Sequence, residues 1–177
     1  MGLSSPTSRE SLHTRSIQCH AFRREDGLWD IEGHLEDIKY YEVSFPDRAV
    51  VNPKEPIHEM QLRITVDDDL LIHDAEAVML HSPHNICPNI TASYKKLIGL
   101  SIKSGWNTQV RNILGGVLGC THLVDLLAPI ATTAFQAIYP LTTREKLSNS
   151  DIRPPLLNNC HALSESSPVV KHSWPAY

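Results

Sequence analysis

An α+β fold, in which a small antiparallel sheet is covered on one face by three helices, is what this sequence predicts from three observations. Met60, Leu62, Ile64 and Val66 alternate with Gln61, Arg63 and Thr65, the period of two that marks a half-buried strand. From Pro88 onward the apolar residues recur at helical spacing instead. The change falls at Cys87-Pro88, where a proline suits a helix start because its missing N–H would have no partner there.

The elements follow in order. Residues 1–12 are polar and Ser-rich and are expected to form a flexible terminus, leaving 13–177 as a single domain. His13 to Phe22 and Leu28 to Lys39 read as two strands around Glu25-Asp26-Gly27, the glycine supplying the positive φ of a tight turn. Asp47 to Pro56 reads as a loop. The strand through Met60–Val66 turns at Asp67-Asp68-Asp69 and pairs antiparallel with Leu71 to Met79. One helix then carries Ile90, Tyr94, Leu97 and Ile98, and a second carries Trp106, Val110, Ile113 and Leu114 before Gly115-Gly116 stops it. A third starts near Cys120 or Thr121 and carries Leu123, Leu126, Leu127, Ile130, Ala134, Phe135 and Ile138, with Pro129 as a kink or a restart. The proline-rich stretch from Pro140 to Tyr177 is expected to wrap the core irregularly.

Composition narrows the function classes. At 177 residues the chain can bury one sizeable core. A net charge of −4 with scattered basic residues offers no broad surface for phosphates, so nucleic acid is not an expected partner. No apolar run approaches the roughly 20 residues that cross a bilayer, and the polar N-terminus lacks the apolar stretch of a signal peptide, so a cytoplasmic protein without a membrane partner is expected. In reducing cytosol, Cys19, Cys87, Cys120 and Cys160 serve burial, metal binding or catalysis rather than disulfides.

Two of these cysteines carry the functional expectation. Cys87 stands at the N-cap of a predicted helix, whose partial positive charge favours a thiolate; the alternative is a buried small hydrophobe. Gly119-Cys120-Thr121-His122 repeats the arrangement at the start of the last helix. If the two helix ends converge, both sulfurs face one point, as a zinc or iron site requires. His58 and His122 can add imidazole nitrogen there, with Glu59 beside His58, and Cys160-His161 is a further candidate pair. The metal-ligand set is thus Cys87, Cys120, His58, His122, Cys160 and His161, with His58, Glu59 and His122 as acid/base candidates. His13, His34 and Glu36 are supporting or substrate-facing candidates. Asp67-Asp68-Asp69 lacks the spaced ligands and glycine of a calcium loop and reads as a solvated turn. Gly115-Gly116 with Gly119 lacks the lysine of a phosphate loop, and no elbow motif supports a Ser-His-Asp site.

His13-Thr14-Arg15, the block Glu55 to Asp69, Asn85 to Leu97, Gly119 to Leu123, and Arg153-Pro154-Pro155 through Cys160-His161-Ala162-Leu163 together resemble a bacterial family labelled domain of unknown function 2889. More distantly, Met60 to Tyr139 resembles the NifU/IscU-type iron–sulfur scaffold proteins: strand, Asp-Asp turn, strand, cysteine at a helix start, and a late cysteine before an Ala-rich helix. That resemblance implies an IscU-like fold, places Cys87 and Cys120 on two of the scaffold's cysteines and brings His58 close to its ligand-modulating aspartate. The scaffold's first cysteine and its Leu-Pro-Pro-Val-Lys chaperone-binding segment are absent, and Val117-Leu118-Gly119 precedes Cys120 where the scaffold has histidine.

The resulting expectation is a metal-dependent enzyme, a lyase or hydrolase, acting on a small organic acid or similar metabolite with zinc or iron. An iron–sulfur or sulfur-carrier scaffold without turnover, and an interaction module with a structural metal, are the alternatives. A homo-oligomer is compatible with either.

Overall fold

The computed structural model describes residues 2–142 and 153–175. It is a mixed α+β structure with an antiparallel four-stranded sheet and a few helices. The chain divides into two compact units, Met1–Ile138 and Tyr139–Tyr177.

In the first unit the sheet has the order β1-β2-β5-β6, built from β1 (His13–Arg23), β2 (Trp29–Lys39), β5 (Pro56–Val66) and β6 (Ile72–His81). All neighbours are antiparallel, as two hairpins and one longer return demand. Gly27, with φ of +89°, closes the first hairpin in the left-handed region expected of it. At the second turn Asp67 binds its own loop, its carboxylate accepting from the N–H groups of Asp69 and Leu71 and lying 2.8 Å from Nε2 of His73.

Two segments differ from expectation. Between β2 and β5 stands a small hairpin of β3 (Val43–Phe45) and β4 (Arg48–Val51), and β4 occupies part of the loop expected over Asp47 to Pro56. Its strands of three and four residues are too short for alternation to declare itself. The expected loop survives only at 52–55, where Glu55 accepts from the Asn52 N–H. The helix beginning at Cys87 is 3-10 along its whole length, Cys87–Leu97. Cys87 is its first residue, not its N-cap; that place belongs to Ile86. Ile90 and Thr91 are β-branched and unfavourable in an α-helix, and Thr91 Oγ1 bonds back to the Pro88 carbonyl in an i to i−3 pattern. The 3-10 pitch also aligns residues three apart, and Tyr94 and Leu97 are both fully buried.

Two α-helices follow, α1 (Trp106–Leu114), stopped by Gly115, and α2 (Thr121–Thr142). Helix α2 runs through Pro129 without a restart, and the proline, having no N–H, leaves the Asp125 carbonyl without that donor. It is long and apolar enough to cross a membrane by composition, yet Leu123, Leu126, Leu127, Ile130 and Ala134 are buried in the core. One hydrophobic cluster joins these residues to Trp29, Ile31 and Leu35 of β2, Met60, Leu62, Ile64 and Val66 of β5, and Val110 and Leu114 of α1. At Gly33 the contact between β2 and α2 is closest: a Cβ there would lie 2.7 Å from Ile130 Cδ1.

The second unit contains a 3-10 turn, His161–Leu163, and a short helix, Pro168–Ser173, capped by the Ser167 hydroxyl accepting from the Val170 N–H. Arg153 pairs with Glu165 at 2.8 Å.

Candidate functional site

The inward row of β2 is Trp29, Ile31, Gly33, Leu35 and Asp37, every second residue and all buried. Four of these positions suit a core. The fifth is a carboxylate, 2% exposed, at the end where the apolar face gives out. A charge so placed must be paired, because burying an ionised carboxylate alone costs several kcal/mol. The register supplies the partners: Asp37 lies opposite Arg15 of β1 on one side and His58 of β5 on the other.

The Arg15 guanidinium grips Asp37 with two parallel bonds, Nε to Oδ1 and a terminal nitrogen to Oδ2, both 2.8 Å. Its remaining nitrogen reaches Asp125 of α2 at 2.9 Å, tying the first turns of the helix to the sheet. Nδ1 of His58 lies 3.0 Å from Asp37 Oδ2, and Nε2 of His13 lies 3.3 Å from Oδ1. His122, in the first turn of α2, stacks on His58 with ring centroids 3.7 Å apart and places Nε2 3.8 Å from Asp37 Oδ2.

These surroundings set the charge states. Burial pushes the Asp37 carboxyl up, but the Arg15 hydrogen bond and charge outweigh it and hold the group below the usual carboxylate range. His58 is pushed down to about 4, first by burial and then by the charge of His122, against the pull of Asp37. Burial and the nearby Arg15 charge also lower His122. These shifts favour the ionised carboxylate of Asp37 and the uncharged form of the His58 and His122 imidazoles. That is the protonation state a metal ion needs, since only a neutral imidazole has a lone pair to give.

The spacing also fits an ion. Asp37, His58 and His122 each offer one ligand atom, and these atoms all lie within 4.8 Å of one another. A tetrahedral ion with bonds of about 2.1 Å holds its ligand atoms about 3.4 Å apart. The separations of 3.0 Å and 3.8 Å from Asp37 Oδ2 to the two imidazole nitrogens bracket that value. The group could hold a metal ion.

His58 and His122 line a cavity of about 490 Å³ together with Cys87 and Cys120. Four of the six expected metal ligands thus line one cavity, while the ligand atoms that converge are those of Asp37, His58 and His122. No group of three or more convergent ligand atoms among the described residues includes either sulfur. Cys120 Sγ lies 3.9 Å from Nδ1 of His122, and the Cys120 backbone is fastened at both ends by Tyr94, whose hydroxyl accepts from its N–H and donates to its carbonyl. Glu59 leaves the opposite face of β5 from His58, because consecutive strand residues alternate. It binds His34 at 3.2 Å and His81 at 2.7 Å, so the expected His58–Glu59 acid/base pairing is divided between two faces. Glu36 stands opposite Glu59 in the register. Cys160 and His161 are exposed residues of the second unit.

Asp37, Arg15 and Asp125 were not among the sequence-based candidates for ligand or acid/base roles. A signal for Asp37 was present: it occupies the next place in the odd-numbered row of Trp29, Ile31, Gly33 and Leu35.

The family model described as protein of unknown function (DUF2889) matches residues 13–136, well over half of the chain. The chain belongs to the DUF2889 family. The match begins at the first residue of β1 and includes Arg15, Asp37, His58, Cys87, Cys120, His122 and Asp125, whereas Cys160 and His161 lie beyond it. No curated protein and no solved structure gives a significant match, so the iron–sulfur scaffold likeness has no support from these comparisons.

Proposed function

We propose that this DUF2889 protein is a metal-dependent enzyme that binds one divalent ion, zinc or iron, through Asp37, His58 and His122 and acts on a small metabolite held in the adjoining cavity. The observation that carries this reading is the convergence of one carboxylate oxygen and two imidazole nitrogens within 4.8 Å at the edge of a 490 Å³ cavity. Two histidines and one carboxylate leave coordination positions open, which distinguishes catalytic sites from closed structural ones. A bound ion would supply Lewis acidity or an activated water. Arg15 holds Asp37 ionised and in one orientation, the role that partners of a metal-ligating carboxylate ordinarily fill. Cys87 and Cys120 then face the substrate space, and the scaffold alternative, which needs cysteine ligands, is less well supported.

A second reading has its own observation. The Asp37 carboxylate already accepts two bonds from Arg15 and lies within bonding reach of His58 and His13, which leaves little lone-pair capacity for an ion. On that reading Asp37 orients His58 as a metal-free acid/base group. Cobalt(II) substitution separates the two. The metal reading predicts visible absorption of a low-symmetry cobalt site that disappears in His122→Ala, without the near-ultraviolet charge-transfer band of thiolate ligation. Absence of any cobalt spectrum leaves the metal-free dyad, and a thiolate band returns the cysteines to the ligand set.

A further inference from the structure

We infer that the cavity beside His58 and His122 takes a ligand with an apolar body and a single small head group, of which a medium-chain monocarboxylate is the simplest representative. Phosphorylated or polycarboxylate metabolites are excluded. The inference deepens the metal reading and rests on it only for what the head group touches.

The lining divides by chemistry. Met60, Met79, Pro83, Ile86, Ile90 and Val117 supply its apolar part, from β5, β6, the 3-10 region and the loop before α2. Two methionines give it an adaptable wall, since the unbranched thioether fills irregular space. Among the described residues no lysine, arginine, aspartate or glutamate lines it. A multiply charged ligand would bury its charges against sulfur and hydrocarbon, at a cost of several kcal/mol per unpaired ion. A single carboxylate or carbonyl is different. It has the imidazoles of His58 and His122, the Asn89 amide and the Thr121 hydroxyl within the same lining, and Thr121 and His122 open a 22-residue helix whose N-terminus favours negative charge.

The mouth points the same way. Ile86 is 72% exposed and Val117 is 96% exposed, yet both belong to the lining. The Ile86 side is fixed in place by Asp47, whose carboxylate lies 2.7 Å from Nδ1 of His84 and 3.0 Å from the donating Asn85 N–H. Large aliphatic side chains presented at a fixed rim gain about 25 cal/mol for each Å² of apolar surface that a ligand covers. The volume of about 490 Å³ falls in the roughly 300–1,000 Å³ range of small-molecule sites.

Isothermal titration of octanoate, citrate and inorganic phosphate into chelator-treated full-length protein, with octanoate repeated on zinc-loaded protein, tests this. Octanoate should bind the metal-free protein, citrate and phosphate should not, and Ile86→Asp and Val117→Asp should each weaken octanoate at least about 10-fold. Both substitutions lie at exposed positions, and their circular dichroism should match wild type. The inference is overturned if octanoate binds neither form, if citrate or phosphate binds metal-free protein as tightly, or if both rim variants bind octanoate unchanged. Octanoate binding that zinc leaves unaltered would count against the metal reading alone.

Discussion

Asp37 holds the site together at the scale of single residues. It sits between Arg15 and His58 on a buried sheet row, and no other charged side chain among the described residues is as little exposed. Asp37→Asn keeps the shape and removes the charge, leaving Arg15 with half its pairing. The expected cost is about 2–3 kcal/mol in urea denaturation, below the roughly 3–5 kcal/mol of a fully buried pair because Arg15 is partly exposed. A cost under about 0.5 kcal/mol would show that the pair is no structural anchor. Tyr94 is the second such residue, since its hydroxyl satisfies both backbone groups of Cys120. Tyr94→Phe strands a partly buried donor and acceptor, so a loss of about 1 kcal/mol is expected, together with faster thiol-reagent modification of Cys120. Modification at the wild-type rate would mean that Tyr94 does not hold the loop. The sequence made the histidines and cysteines conspicuous because these residue types advertise chemistry. Asp37 was less conspicuous because it adjoins the acids Asp30, Glu32 and Glu36 of the outward face, and only its odd-numbered place in the row of Trp29, Ile31, Gly33 and Leu35 marks it as inward.

Elements meet most tightly where Gly33 of β2 lies under Ile130 of α2. A methyl group at Gly33 reduces the backbone entropy lost on folding but overlaps Ile130 Cδ1 and Cγ1, at 2.7 Å and 2.9 Å. Overpacking of a well-filled core typically costs about 1–3 kcal/mol, so Gly33→Ala should destabilise by about 1 kcal/mol net. Adding Ile130→Val removes Cδ1 and should recover part of that loss, which a double-mutant cycle by chemical denaturation measures. Additive destabilisation would refute the contact. The β5–β6 turn makes a pH prediction. Burial raises the Asp67 carboxyl, but His73 and the N–H groups of Leu71 and Asp69 prevail and hold it below its ordinary value. A depressed folded-state pKa means stability present above the unfolded value of about 3.9 and lost as pH falls through the folded one. Asp67→Ala should therefore lower Tm at pH 7, with a difference that shrinks as pH falls below the unfolded value of about 3.9; a pH-independent difference would assign the effect to packing. The four long strands and the two α-helices were legible because each spans enough residues for its period to show. The β3–β4 hairpin was not, and the 3-10 character of Cys87–Leu97 was not, since spacing at three and at four residues overlap in one short apolar stripe.

For the whole molecule, the family match spans the sheet and most of α2, and the candidate site draws on both: β1, β2 and β5 supply Arg15, Asp37 and His58, and α2 supplies His122 and Asp125. Residues from positions 15 to 125 meet only after the sheet has paired and α2 has docked on it. Sequence proximity therefore showed the parts, Cys120 beside His122 and His58 beside Met60, without showing which of them converge. The sequence-based expectation set both sulfurs beside the imidazoles of His58 and His122 as ligands, whereas the proposed set replaces the sulfurs with Asp37, and the two sets predict opposite outcomes for the Cys120 variant. Metal content by mass spectrometry, on full-length wild type, His122→Ala and Cys120→Ser purified in parallel without chelator, tests the proposal most directly. The account predicts close to one zinc or iron per chain in wild type and in Cys120→Ser, and less than about a tenth of that in His122→Ala, since losing one of three protein ligands typically costs well over 10-fold in affinity. Full occupancy in His122→Ala, or metal lost from Cys120→Ser instead, would contradict it.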